Sequence, residues 1–149
     1  MNNYLIKLNA KNIIYINTTL CIVIILICYG FAQYYNHVDS WIPMISDCFV
    51  YPPENYISRF GVISFINCGT GLSNVLISKF IKVEKKYENL LMFIGIFSSM
   101  CFGLVGSISE NENLKMHNVF AISGFISYGL FMIIINLSLI HISEPTRPY

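Results

Sequence analysis

Charged residues are scarce in this chain. Lys and Arg together number 9 and Asp and Glu 8, so that charged residues make up 11% of the sequence. A soluble domain normally carries about a quarter of its residues as charges to cover its surface. The mean hydropathy is +0.60. The chain therefore has too few charged residues to cover the surface of a soluble globular domain. The net charge of +1 gives no information about partners, and we expect no nucleic acid among them.

The sequence also lacks the motifs of metal and nucleophile chemistry. No Cys-x-x-Cys pair and no His/Cys ligand spacing occurs, so that a structural zinc site has no support. Four cysteines lie in apolar runs, where a thiol behaves as a small hydrophobe, and Cys48 has no evident partner in the chain. We therefore predict no metal, no cofactor and no catalytic nucleophile.

What the chain does contain is four long apolar runs. They cover about residues 13–35, 60–78, 90–108 and 119–140, and none has Asp, Glu, Lys or Arg in its interior. A helix needs roughly 20 such residues to cross the hydrocarbon core of a bilayer. The predicted fold class is an all-α membrane protein, a polytopic helical bundle. The first run is interpreted as an uncleaved signal anchor rather than a cleaved signal peptide, because its apolar stretch is long and Gln33, Tyr34 and Tyr35 stand where a cleavage site would have small residues.

The distribution of basic residues predicts the orientation. Six lysines precede the first run or lie between the second and third: Lys7, Lys11, Lys79, Lys82, Lys85 and Lys86. The other two connections hold only Arg59 and Lys115. By the positive-inside rule, the N-terminus and the second connection face the cytoplasm, and the first and third connections face the lumen or exterior.

The four lysines of the second connection have two interpretations. Contact with anionic lipid headgroups would make them a lipid-facing basic site, contributing about 1 kcal/mol per residue. Ordinary anchoring of the topology explains them as well, and we favour it. Glu84 and Glu88 dilute the positive charge.

Small and polar residues within the runs indicate packing faces. Gly95, Ser99 and Gly103 recur every four residues, a spacing that lets helix backbones approach closely. Asn67 and Asn74 share one face of the second helix. Either a polar path or interhelical hydrogen bonding would explain the asparagines, and we favour the hydrogen bonding.

The first connection carries the most specific pattern. It contains His37-Val38, then Ile42-Pro43, Ile45-Ser46-Asp47 and Pro53-Glu54, and His117 opens the fourth run. In these motifs the chain resembles the DRAM (damage-regulated autophagy modulator) family, within the wider FRAG/DRAM group of six-span membrane proteins. The similarity covers about residues 12–136. Met116-His117-Asn118 departs from the pattern, because family members more often carry a small or acidic residue after this histidine.

The resemblance implies six spans, of which four are present here, and a function without established enzymatic chemistry. DRAM-like proteins are lysosomal or endosomal membrane proteins that promote autophagy, and we favour these membranes over the plasma membrane. Plasma-membrane relatives help to organise phosphoinositide kinase assemblies, and a more distant branch takes part in remodelling the lipid of GPI anchors. The expected partners are membrane lipids and other membrane or kinase-scaffold proteins.

Two classes of function remain open from the residues themselves. The chain is either a non-catalytic membrane adaptor or regulator, or an enzyme that acts on lipid at the outer interface. For an enzyme, the available acid, base or ligand groups are His37, Asp47, Glu54 and His117. We favour a structural role, in which these residues cap helix ends and pin the first connection.

The first connection is expected to form an ordered lid across the helix ends. Trp41, Ile42, Met44, Ile45 and Phe49 are too apolar for a solvated linker. In such a lid we expect the side chains of Asp47 and Glu54 to point inward and to bond to backbone amides or a histidine. Glu54 is expected to cap the second helix. We also expect both histidines to meet this loop. The competing arrangement is a loop lying flat among the headgroups with its carboxylates in water.

The end of the chain is expected to be foreign. Residues 137–147 read LSLIHISEPTR, which resembles one reading frame of a transposase-type sequencing adapter. We therefore predict a truncated membrane domain over residues 1–136 and a non-native tail over 137–149. The natural transcript should continue differently after Asn136, and native codons for these residues would contradict the prediction.

Overall fold

A computed structural model describes residues 10–39, 41–81 and 85–143, with side chains for 11–39, 41–81 and 87–138. It contains helix α1 (Ala10–Tyr34), α2 (Glu54–Gly61), a π-helical segment (Val62–Gly69), α3 (Thr70–Phe80), α4 (Lys85–Ser107) and α5 (Glu110–Ser143). Because α2, the π segment and α3 follow without a break, they form one rod. Within this part of the chain, four stretches are long and apolar enough to cross a membrane: Lys11–Tyr34, Glu54–Phe80, Tyr87–Ser107 and Glu110–Ser138. The predicted fold class is confirmed.

The second and fourth helices are longer than their apolar runs. The second begins at Glu54 rather than near residue 60, and the fourth at Glu110 rather than near 119. Hydropathy detects only the apolar part of a helix, whereas polar turns can continue it beyond the hydrocarbon. The polar start of α5 is bent at Asn113, whose backbone is extended (φ −161°, ψ 85°).

We call the end of the bundle where α1 ends and α2 begins the loop end.

Helix α5 runs through the predicted domain boundary at Asn136 to Ser143. Helical conformation is compatible with either origin of the tail, so its foreign origin stays a prediction. Lys82 and residues 144–149 lie outside the described residues.

Consecutive rods pack side by side. α1 contacts the α2–α3 rod, that rod contacts α4, and α4 contacts α5. At the loop end, an apolar cluster joins α1, the first connection and the α2–α3 rod, which we call the second rod; its buried members are Ile24, Cys28, Ala32, Cys48, Phe49 and Val62. At the opposite end a second cluster consists of Ile81, Leu91, Phe131 and Ile135.

Between the two clusters, small and polar residues bring the helices close together. A Cβ on Gly95 would lie 2.8 Å from both the Cβ of Asn74 and Cε2 of Phe131, and one on Gly103 would lie 2.7 Å from the Cβ of Asn67. Asn74 Nδ2 donates to the Gly95 carbonyl at 2.8 Å. For Asn74, interhelical hydrogen bonding is therefore confirmed, and Asn67 packs against the small-residue face of α4.

The π segment faces a polar side chain of α1. Asn17 is 8% exposed, and in the amide orientation that satisfies both ends it donates to the Phe65 carbonyl at 2.8 Å and accepts from the Thr70 amide at 3.3 Å. A side chain that bonds into the backbone ladder in this way is a recognised cause of local helix irregularity. Asn17 thus stabilises the wider turn where the π segment passes into α3.

Candidate functional site at the loop end

The first loop, residues 35–53, is fastened by its second half. The expectation that its apolar side chains are withdrawn from solvent holds for Phe49 and is wrong for Trp41, Ile42, Met44 and Ile45. Cys48 and Phe49 are buried against α1 and the second rod, and they belong to a single 3-10 turn, Asp47–Phe49. Asp47 Oδ2 accepts from the Met44 amide at 2.9 Å, and the Ser46 carbonyl accepts from the Phe49 amide at 3.0 Å. The prediction that Asp47 bonds to a backbone amide is confirmed. Pro43, which is half-buried, precedes this turn.

His37 and Glu54 form the central contact of the site. Nδ1 of His37 lies against Oε1 of Glu54, whose side chain is completely buried, while that of His37 is 24% exposed. The rings of Tyr35 and Tyr51 flank the imidazole, with centroids 5.6 and 5.0 Å away. The prediction that Glu54 points inward to a histidine is therefore confirmed.

The predicted capping role of Glu54 is wrong. The N-cap of α2 is Pro53, which has no side-chain cap hydrogen bond, and Glu54 is the first residue of the helix. The chain enters α2 with this carboxyl group turned towards His37 instead of the helix amides. Its position in the first turn still places an acidic residue near the positive end of the helix.

His117 belongs to a different contact. It is 4% exposed, its Nδ1 lies 2.7 Å from the Ile108 carbonyl, and its Nε2 lies 3.4 Å from Glu110 Oε1. These partners are at the α4–α5 connection, because His117 lies within the helix that the connection enters. The expectation that both histidines meet the first loop therefore holds for His37 and is wrong for His117.

Two contacts that sequence reasoning missed join the first loop and α2 to the start of α5. Arg59 forms an ion pair with Glu112, and Asn111 Nδ2 donates to Tyr51 Oη at 3.4 Å. Glu112 also accepts from the Ser109 amide at 3.2 Å. The sequence did contain one signal for the ion pair. Arg59 and Glu112 carry opposite charges, and they lie in two connections that were assigned to the same side of the membrane.

The basic residues lie at the other end of the bundle. Lys79 is exposed in the last turn of α3. Lys85 and Lys86 begin α4, and their side chains are not described. Lys82 lies outside the described residues, so that the structure leaves the lipid-facing role of the four lysines as a prediction.

The chemistry available at the loop end is limited by how its groups are engaged. Burial raises the pKa of the Cys48 thiol, and the nearby carboxylates of Asp47 and Glu54 raise it further, so the thiol is a poor nucleophile. No cluster of three or more metal-ligating side chains occurs in the part of the chain that the structure describes. Oε2 of Glu54 is buried without a hydrogen-bond partner. The Glu54 carboxyl group, next to His37, therefore has one oxygen that could still act as an acid or base.

Comparison with known families places these features in context. A family model described as the Frag1/DRAM/Sfk1/Cwh43P N-terminal domain matches residues 10–147. No curated protein and no solved structure matches the chain. The match includes all four candidate spans and the first loop, and it supports the wider FRAG/DRAM group indicated by the loop motif. The chain is therefore an integral membrane protein that belongs to the Frag1/DRAM/Sfk1/Cwh43P family.

Proposed function

We propose that this protein is a non-catalytic adaptor or regulator of the endolysosomal membrane that promotes autophagy, as the DRAM-like first loop implies. Its partners are membrane lipids and other membrane or kinase-scaffold proteins. The N-terminus and the lysine-bearing connection face the cytoplasm, and the loop end faces the lumen. Family membership supports the general assignment, and the motif of the first loop supports the narrower one.

The observation that carries the proposal is the closed contact between His37 and Glu54. A general acid or base must reach a substrate atom at hydrogen-bond distance. Here Glu54 is fully buried, and its Oε1 is occupied by the imidazole. Two further polar groups of the motif are also engaged: Asp47 bonds to the backbone of its own turn, and His117 bonds to the Ile108 carbonyl. Such a set maintains the shape of a surface that another molecule can recognise.

The proposal is tested in cells that lack the natural full-length protein. Tagged wild-type protein should fractionate with lysosomal membranes and restore the turnover of autophagosome cargo. His37→Ala should restore turnover only in proportion to the folded protein that reaches these membranes, whereas the exposed Asp39→Asn should behave as wild type. Plasma-membrane residence, or no effect of the wild type on cargo turnover, would contradict the proposal.

A membrane enzyme acting on lipid is the second candidate, favoured by one specific observation. Glu54 Oε2 is buried without a partner beside His37, and acid–base groups of enzymes often sit in such environments. In this alternative, opening of the first loop would expose the pair to a phospholipid or GPI precursor. A turnover assay separates the candidates.

A further inference from the structure

The first half of the first loop exposes a group of large apolar side chains. Trp41 is 82% exposed, Ile42 79%, Met44 67% and Ile45 55%. We call these four residues the apolar tip. Single exposed apolar residues are common on proteins, but a contiguous exposed group usually marks an interaction surface.

Hydrogen bonds hold the apolar tip in place. Tyr29 Oη donates to the Trp41 carbonyl at 3.0 Å. The Met44 amide donates to Asp47 Oδ2 at 2.9 Å, and the Met44 carbonyl accepts from the Asp47 amide at 3.1 Å. Directly after this turn, Cys48 and Phe49 are buried. These contacts fix the backbone of the loop in a path that leaves the four side chains of the tip exposed.

The Tyr29 contact also indicates the level of the tip relative to the bundle. Tyr29 lies five residues before the end of α1 at Tyr34, which is about 7.5 Å along the helix axis. Helical side chains lean towards the N-terminus, so a backbone group bonded to Tyr29 Oη lies beside the last turns of α1. In those turns and below them α1 exposes Leu26, Ile27 and Tyr34. The tip therefore lies at the level of the last exposed turns of a candidate membrane span.

The composition of the tip selects its partner. None of its four residues is charged, and the neighbouring carboxylates are those of the exposed Asp39 and of the partly exposed Asp47, which is bonded to the Met44 amide. An uncharged tryptophan next to aliphatic side chains fits the boundary between headgroups and acyl chains, where Trp is enriched in membrane proteins. We propose that the apolar tip inserts into the lipid–water interface of the leaflet at the loop end. There it fixes the depth of the first loop and keeps the His37–Glu54 contact next to the bilayer surface.

Trp41 is the single tryptophan of the chain, so its fluorescence reports on the tip alone. The chain is reconstituted in phosphatidylcholine vesicles, with and without bromine on the acyl chains, and excited at the red edge of tryptophan absorption. Insertion predicts blue-shifted emission, quenching by brominated lipid and protection from aqueous acrylamide. Since the tip is uncharged, replacing part of the lipid with phosphatidylserine should leave the quenching unchanged.

Polar substitutions at the other tip residues supply the control. The triple variant Ile42→Asn, Met44→Asn, Ile45→Asn retains Trp41 and should lose bromine quenching and gain acrylamide access, whereas Asp39→Asn should match the wild type. Protection of Cys48 from alkylation shows that each variant is folded. Strong quenching of the wild-type Trp41 fluorescence by acrylamide would place the tip in water and overturn the proposal. Blue-shifted emission that neither quencher reaches would overturn it by placing the tip against protein.

Discussion

At the scale of single residues, the His37–Glu54 contact joins the end of α1 to the start of α2. Removing one partner of a buried polar pair leaves the other without compensation, which costs about 1–3 kcal/mol. We predict that His37→Ala lowers the free energy of unfolding by about 2 kcal/mol, and that Glu54→Gln, which keeps an acceptor for His37, loses less. Denaturant or thermal unfolding in detergent micelles measures both.

The matched control for this pair is Asp39→Asn, an exposed change in the same loop. Surface substitutions of this kind usually alter stability by less than about 0.5 kcal/mol. If His37→Ala is as stable as Asp39→Asn, the contact does not hold the loop end together.

Cys48 provides a residue-scale test of burial and charge in the first loop. Because burial and the carboxylates of Asp47 and Glu54 raise the pKa of its thiol, folded Cys48 should react slowly with a membrane-impermeant maleimide in mildly alkaline buffer. The exposed thiol of an Asp39→Cys, Cys48→Ser variant should react faster. Equal rates for the two thiols would show that the second half of the loop is open.

The same pKa shift predicts the sign of a pH effect. A thiol whose pKa is raised by folding contributes stability that is fully present below its unfolded pKa and is lost as the pH rises towards the folded pKa. Cys48→Ser should therefore reduce the decline in stability at alkaline pH.

Sequence reasoning reached some of these residues because their roles are local. The Ser-Asp pair suggested a turn in which the carboxylate bonds to a nearby amide, as Asp47 does. The Glu54 carboxylate was expected to bond either to the first amides of α2 or to a histidine. Only the path of the backbone into α2 decides between these two partners. The Arg59–Glu112 pair depends on how two distant connections meet, which a single sequence does not specify.

At the scale of elements, the small residues of α4 determine how closely it approaches its neighbours. A methyl group at Gly95 would be too close to both Asn74 and Phe131. We predict that Gly95→Ala lowers the free energy of unfolding by about 1–3 kcal/mol, the usual cost of overpacking a tight interface. The loss of helical circular dichroism on heating in micelles would show it.

Gly30 and Gly129 are matched controls, because a Cβ at either position would meet no atom within 4 Å beyond its chain neighbours and the backbone of its own helix. Alanine there should raise stability by about 0.5–1 kcal/mol, since glycine inside a helix is less favourable than alanine. Destabilisation of the same size at Gly30 and Gly95 would contradict close packing of α4.

The helices themselves were predictable, because long runs without charge leave few alternatives to membrane-spanning helices. Their starts were not, since the polar turns from Glu54 and Glu110 give no apolar signal. The π segment was also unpredictable, because its wider turn is matched to Asn17 on another helix.

At the scale of the whole molecule, the loop end links the second rod to α5 through Arg59 and Glu112. We predict that reversing either charge alone lowers the thermal stability, and that Arg59→Glu combined with Glu112→Arg recovers part of it. The effect should weaken as salt is added, because both side chains are partly exposed. Glu112→Arg combined with Lys115→Glu is the control for net charge and should recover nothing.

For the whole protein, the role we propose for the loop end is to maintain a structure and not to turn over lipid. The most direct test uses purified full-length protein in vesicles that contain radiolabelled phospholipids or GPI precursors. Conversion of the lipid and the melting temperature are measured for wild type, His37→Ala and Glu54→Gln. The adaptor account predicts no conversion by any of them and a lower melting temperature for His37→Ala. Conversion by the wild type that Glu54→Gln abolishes at an unchanged melting temperature would contradict it.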